Sequence, residues 1–366
     1  MSRMLHLLFL LGFSTALYAQ AEPQSGSYIE TQYLYGTFLR HNKNVAHLVR
    51  VHPQAVLLGY NVPTLGKNSW EQKLNYPDLG VSFIYQDFRN SVVGHNFGLY
   101  AHVNFYFLGR HMVFKLGQGF AYNTNPFDLE QNVKNVAYGT HLLSSTYFML
   151  SYMEQDLFEN VGFQLGLSLL HHSNGNFKSP NSGTNVLGLN AGVQYRLDTH
   201  PRVERDSVAS EKQFDKNVHF NLALMGGLNT GDYINLGQFP FFVVSAYAEK
   251  PLGEISSVNM GAEMFFSYFL KEEIKYVSSS FPGRKVDGDT DFKRIGLFAG
   301  HDLVLAKFRM MVQAGYYVYY PYEFEDRIYF RFGIKYFLSE DWFLSSALKA
   351  HGAQAEAIEW GIGYRI

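Results

Sequence analysis

Two adjacent histidines and a serine stand together in the stretch LSLLHHSNGNFKSPNSGTN, residues 167–185. In a β-strand, residues i and i+2 are neighbours on one face, whereas residue i+1 points to the other face. His171 and Ser173 are therefore predicted to lie side by side, close enough for the imidazole to accept the serine proton. His172 points away from both, so the two histidines are not expected to share a metal ion. The spacing is compatible with nucleophilic catalysis by a Ser–His pair; the alternative is an extracellular hairpin loop, because Ser, Asn, Gly and Pro favour turns.

The strand that would carry these residues has one continuously apolar face. The apolar members of that face are Val161, Phe163, Leu165, Leu167 and Leu169. His171 and Ser173 end the same face, and Asn185 begins the corresponding face of the next strand. If the apolar face meets lipid, His172 points into the protein and three polar side chains gather at the rim of an apolar surface. Polar groups in such a position are costly and are usually functional.

Alternation of apolar and polar residues with period two recurs along the chain. In IYFRFGIKYF, every second residue from Ile328 is apolar, and Arg331 and Lys335 fall between them. Many such segments are about ten residues long, which suits a tilted strand crossing a bilayer better than the strands of a soluble sandwich. With 17% aromatic residues, the pattern predicts an all-β fold, an antiparallel transmembrane β-barrel of about 14–16 strands. A soluble exported β-protein is the alternative.

The first residues predict export. MSRMLHLLFLLGFSTALYAQA combines an early arginine, a short apolar run and small residues at its end. Residues 1–21 are therefore predicted to be a cleaved signal peptide, and an uncleaved anchor is the alternative. The chain has no cysteine and a net charge of −2, which predicts no disulfide framework and argues against nucleic acid as a partner. We expect a multi-pass β-barrel in the bacterial outer membrane.

A charged stretch with few apolar residues divides the chain. The predicted organisation is a barrel half with the candidate site at 22–198, a linker at 199–216 and a second half at 217–366. The endings GVQYRL and GIGYRI are alike, which indicates duplication of an eight-stranded unit. One large barrel is expected rather than two small ones, because fusing the sheets leaves no extra edges to protect.

The second half lacks the candidate residues. When LKAHG is matched to LLHHS, Ala350 and Gly352 stand where the first half has His171 and Ser173. His351 matches the inward His172. No catalysis is expected of this half.

Strand counting predicts the side of the membrane on which the site lies. With a periplasmic N-terminus, odd-numbered strands run outward, and the strand at Val161 is about the seventh. His171, Ser173 and Asn185 are therefore expected at the outer leaflet. The polar segment 270–292 also follows an odd strand, as an extracellular loop should.

At these residues the sequence resembles the lipid A 3-O-deacylase family, the PagL-type outer-membrane esterases (acyloxyacyl hydrolases), over roughly residues 28–198. The family's motif of His-x-Ser-Asn followed by Lys-x-Pro-Asn-x-Gly stands here as His171, Ser173, Asn174, Lys178, Pro180, Asn181 and Gly183. The resemblance implies that Ser173 is the nucleophile and His171 the general base. It also implies that Asn174 or Asn181 serves an oxyanion hole or the substrate.

The same resemblance implies a substrate, and at one site residue this sequence differs from the family's motif. The substrate would be an ester-linked acyl chain of lipid A, in lipopolysaccharide of the outer leaflet, and no cofactor is expected; a homodimer is left open. The family's acid is a glutamate where this sequence has Asn185, which can orient His171 but supplies no charge. Two alternatives are a non-catalytic outer-membrane pore and a structural or adhesion barrel.

Overall fold

A computed structural model describes residues 26–40, 43–49, 51–197, 215–234, 236–352 and 354–366, except for the side chains of Lys43 and Asp156. The predicted signal peptide and nearly all of the predicted linker lie outside these residues. The strands of the first half are β1 Tyr28–Phe38, β2 Gln54–Pro63, β3 Asp78–Asp87, β4 His95–Phe107, β5 Met112–Asn123, β6 Leu142–Phe158, β7 Val161–Ser173 and β8 Thr184–Arg196. Those of the second half are β9 His219–Thr230, β10 Gln238–Gly253, β11 Ser256–Ser267, β12 Lys293–Leu305, β13 Phe308–Tyr319, β14 Ile328–Phe337, β15 Trp342–His351 and β16 Gln354–Arg365.

The strands form two closed antiparallel barrels, β1–β8 and β9–β16. Each barrel closes by pairing its last strand with its first, β8 with β1 and β16 with β9. The predicted all-β barrel fold is confirmed, and each half has the eight strands that the predicted duplication requires. The expectation of one large barrel is wrong, because each eight-stranded sheet closes on itself and so leaves no edge that fusion would need to protect.

The outer surfaces are apolar and the interiors are polar. On the outside of the first barrel, Leu99, Leu167 and Leu189 are each more than half exposed. In its interior, Lys115 on β5 pairs with Glu30 on β1, and Gln164 donates a hydrogen bond to Glu30 at 2.7 Å. An apolar outer surface around an interior of paired polar side chains is typical of a β-barrel that lies in a lipid bilayer.

The interior of the second barrel is filled by ion pairs. Arg331 donates to Glu263 at 2.5 Å and to Glu359 at 2.6 Å. Arg294 on β12 donates to Glu356 on β16 at 3.2 Å. β12 and β16 lie opposite each other in a ring of eight strands, so this pair crosses the lumen, as Lys115 and Glu30 do in the first barrel. The described side chains thus block both lumens, which argues against the predicted alternative of a pore.

Helices are few in the described part of the chain. They are α1 Ser69–Lys73, α2 Tyr268–Ser280 and the short 3-10 helices Lys43–Leu48, Leu108–Arg110 and Pro282–Arg284. α2 overlaps the segment 270–292 that the sequence predicts to be a polar loop, and it buries Phe269, Leu270, Ile274 and Val277. Among the described residues, no helix combines the length and the apolar character needed to cross a bilayer.

Candidate active site

The ends of β7 and β8 bring the three predicted site residues together. The antiparallel register sets His171 on β7 opposite Asn185 on β8. Ser173 follows on the same face as His171, at the end of β7. His172 points into the barrel, where it is 1% exposed and its ring meets the ring of Phe88 edge-on. The side chains of His171, His172 and Ser173 therefore lie on the faces of β7 that the sequence predicts.

His171 joins Asn185 to Ser173. Its Nδ1 lies 2.6 Å from Asn185 Oδ1, and its Nε2 lies 3.2 Å from Ser173 Oγ. Because an amide oxygen can only accept, this contact places the imidazole proton on Nδ1. Nε2 then has a lone pair directed at the serine hydroxyl. This is the tautomer that a general base for Ser173 requires.

The turn from Asn174 to Gly183, here called the site turn, connects the two strands and folds back over Ser173. The backbone N–H of Asn174 donates to Asn181 Oδ1 at 2.8 Å, and Asn174 Nδ2 donates to the Lys178 carbonyl at 2.6 Å. Gly183 has φ +64°, and a Cβ there would lie 3.3 Å from Ser173 Cβ. A side chain at 183 would be strained and would crowd the serine, which explains the glycine.

Two donors of the site turn have no other hydrogen-bond acceptor or point at the serine oxygen. The N–H of Gly175 points at Ser173 Oγ over 3.4 Å. Asn181 Nδ2 is buried and has no partner, although Oδ1 of the same amide is engaged. Since a backbone N–H can only donate, the Asn174 contact fixes the amide so that Nδ2 remains a donor. Ser173 itself is 3% exposed, so an ester must displace neighbouring groups to reach it.

Backbone groups that sequence reasoning missed support the site turn from the β5–β6 loop. The N–H groups of Ser182 and Gly183 donate to the carbonyls of Val136 and Ala137, at 3.1 and 3.0 Å. Tyr138 contacts Thr184 at the start of β8. A backbone carbonyl carries no residue-type signal, so nothing in the sequence marked Val136 or Ala137.

In the second barrel, the residues matched to the site do not form one. Ala350 is buried, and His351 Nε2 lies inside the barrel 2.7 Å from Glu356 Oε2. His351 therefore takes part in the interior ion network. Among the described residues, no group of three histidine or acidic side chains is arranged to hold a metal ion.

Two closed barrels with lipid-solvated outer faces define the protein as a β-barrel of the bacterial outer membrane. The family model of lipid A 3-O-deacylase (PagL) matches residues 54–194, and the model of the acyloxyacyl hydrolase C-terminal domain matches residues 218–366. These matches cover most of both barrels, and the chain belongs to the PagL family.

Other comparisons are more distant. No curated protein matches the chain. A crystal structure of the outer membrane enzyme PagL matches with a TM-score of 0.31 and 15% identity, over 44% of this chain and 97% of that chain. The Acinetobacter baumannii outer membrane protein Omp33 matches with a TM-score of 0.19 and 8% identity, over 93% of this chain and 98% of that chain.

Proposed function

We propose that this outer-membrane hydrolase removes one ester-linked acyl chain from lipid A, with Ser173 as nucleophile and His171 as general base. Membership of the lipid A 3-O-deacylase family supports the substrate and the bond. The observation that carries the mechanism is the alignment of Asn185, His171 and Ser173, with contacts of 2.6 and 3.2 Å. The three side chains end the lipid-facing faces of β7 and β8, and a membrane-embedded ester that approaches from the side must displace neighbouring groups to reach the buried Ser173.

The reaction follows from the tautomer of His171. Nε2 takes the Ser173 proton while Oγ attacks the ester carbonyl, which becomes a tetrahedral oxyanion. When the intermediate collapses, the carbon–oxygen bond to lipid A breaks and His171 returns the proton to the departing hydroxyl. A water molecule, deprotonated by His171, then releases the fatty acid from Ser173 and restores the serine hydroxyl.

The oxyanion is stabilised by donors of the site turn. The available groups are the Gly175 N–H, which points at Ser173 Oγ, and the unpartnered Nδ2 of Asn181, whose Oδ1 accepts from the backbone N–H of the residue after Ser173. Fixed donors at such a position contribute strongly, because they need no reorganisation as charge develops. Asn174 has a different part: its Nδ2 is committed to Lys178, so it shapes the turn. Of the two asparagines implied by the resemblance, Asn181 is the oxyanion donor.

Apolar residues below Ser173 suit the acyl chain. Leu167 and Leu165 continue its face of β7 and are each about half exposed. An alkyl chain that lies along this surface points its ester toward the rim where Ser173 stands. The substrate therefore remains in the membrane during hydrolysis.

Mass spectrometry of lipid A tests the proposal. Purified lipid A incubated with the reconstituted wild-type protein should lose the mass of one acyl chain, and Ser173→Ala should leave it intact. Ser144→Ala is the matched control, because Ser144 pairs with Ser173 across β6 and β7 but bonds Gln118 instead of His171. Equal loss of the acyl chain with wild type and Ser173→Ala would overturn the assignment.

A further inference from the structure

The site turn is held by the second barrel as well as by the first. Asn176 Nδ2 donates to the Thr230 carbonyl at 2.8 Å, and the Thr230 N–H donates back to the Asn176 carbonyl at 3.2 Å. Thr230 is the last residue of β9. The rim of the second barrel thus meets the turn that follows the nucleophile.

Further polar contacts extend this junction. Ser179 Oγ donates to the Gly231 carbonyl at 2.9 Å and lies 2.8 Å from Thr230 Oγ1. Gln238, the first residue of β10, donates from Nε2 to the Phe177 carbonyl at 2.6 Å. Three successive parts of the turn, at positions 176, 177 and 179, are therefore each bonded to the second barrel.

Packing at Gly175 connects the junction to the chemistry. A Cβ at position 175 would lie 2.3 Å from Ile358 Cγ1, so the Gly175 backbone rests directly on this outward side chain of β16. Gly175 has φ +62° and supplies the N–H that points at Ser173 Oγ. Ile358 therefore limits the position of a donor next to the nucleophile.

The barrels are also fixed at their other ends. Lys73 Nζ, at the end of α1, lies 2.9 Å from Glu254 Oε1 in the β10–β11 turn. Together with the hydrogen bonds to the site turn, this pair connects the two barrels at both ends. A rigid neighbour of this kind can hold a catalytic donor within the narrow tolerance that rate enhancement requires.

We propose that the second barrel sets the geometry of the active site in the first, with Ile358 and Gln238 as positioning residues for ester hydrolysis. The inference rests on the proposed function, since it assigns these residues to the reaction at Ser173. It gives the second barrel a role although that barrel has no Ser–His pair at the matched positions.

The rate of lipid A hydrolysis by the double variant Ile358→Ala, Gln238→Ala tests the inference. We expect kcat for lipid A to fall about tenfold with KM little changed, since the loss of fixed donors affects the transition state more than binding. Reaction of Ser173 with a long-chain fluorophosphonate should slow similarly, because its phosphoryl oxygen needs the same donors. Ile358→Val, which keeps the γ carbons under Gly175, should stay near wild type.

A matched control separates positioning from folding. Ile362→Ala removes the same atoms from an outward isoleucine lower on β16, 44% exposed, and should leave kcat unchanged. All variants should show the heat-modifiable gel mobility of a folded barrel. An active wild type together with unchanged or increased kcat in the double variant would overturn this inference alone. A wild type that leaves lipid A intact would overturn the proposed function and this inference with it.

Discussion

At the scale of single residues, Asn185 determines the orientation of His171 and how well its positively charged form is stabilised. Its Oδ1, 2.6 Å from His171 Nδ1, selects the tautomer that the proposed mechanism requires, but a neutral amide stabilises an imidazolium less than a carboxylate does. In the proposed mechanism, Asn185 therefore orients His171 but stabilises its charged form only weakly.

Asn185→Glu should raise kcat. A net hydrogen bond contributes roughly 0.5–1.5 kcal/mol between neutral partners and roughly 1.5–3 kcal/mol when one is charged. The added stabilisation of the imidazolium, about 1.4 kcal/mol, corresponds to about a tenfold faster reaction. Initial rates of acyl release from lipid A measure the effect.

The companion variant Asn185→Ala removes the oxygen that orients His171, and its rate should fall below that of the wild type. A folded Asn185→Glu protein that is slower than wild type would contradict the assignment of Asn185 as the partner of His171.

At the scale of elements, the strand faces could be predicted and the closure of the sheets could not. Period two is a property of the extended backbone, so one apolar row on β7 was enough to assign the directions of His171 and His172. Which strand edges meet is decided by non-local pairing. Nothing in the sequence of β8 distinguishes pairing with β1 from pairing with β9.

The non-local contacts of the site turn could not be predicted from the sequence either. The residue types of His171, Ser173 and Asn185 indicate chemistry, whereas the carbonyls of Ala137 and Thr230 have no signature. The helix α2 was missed for a related reason: its apolar residues gain burial only against a barrel rim whose position the sequence did not reveal. The predicted boundaries of the four segments stay a prediction.

At the scale of the whole molecule, each barrel is held internally by buried ion pairs. Arg331 contacts Glu263 and Glu359, and all three side chains are at most 1% exposed. Removing one member of such a group leaves an uncompensated buried charge, which costs more than the intact pair contributes.

Glu263→Ala should therefore destabilise the second barrel by about 3–5 kcal/mol. In a Trp70→Phe background the remaining tryptophans, Trp342 and Trp360, both lie on the second barrel. Urea unfolding in micelles followed by tryptophan fluorescence then reports on this barrel alone. Leu344→Ala, on the lipid-facing side of β15, is the control and should shift the free energy of unfolding much less. Equal shifts for the two variants would contradict the role given to the ion network.

The central claim is that an acyl group of lipid A is transferred to Ser173 Oγ and forms a covalent intermediate. Trapping that acyl group on the protein tests the claim most directly. Lipid A with isotopically labelled acyl chains is mixed in molar excess with the wild-type protein, and the reaction is quenched in acid during turnover, while acyl-enzyme is present. Peptide mass mapping should find the labelled acyl group on Ser173 and none in the Ser173→Ala partner variant. Labelled acyl on another residue, or acyl release that continues when Ser173 is alanine, would contradict the account.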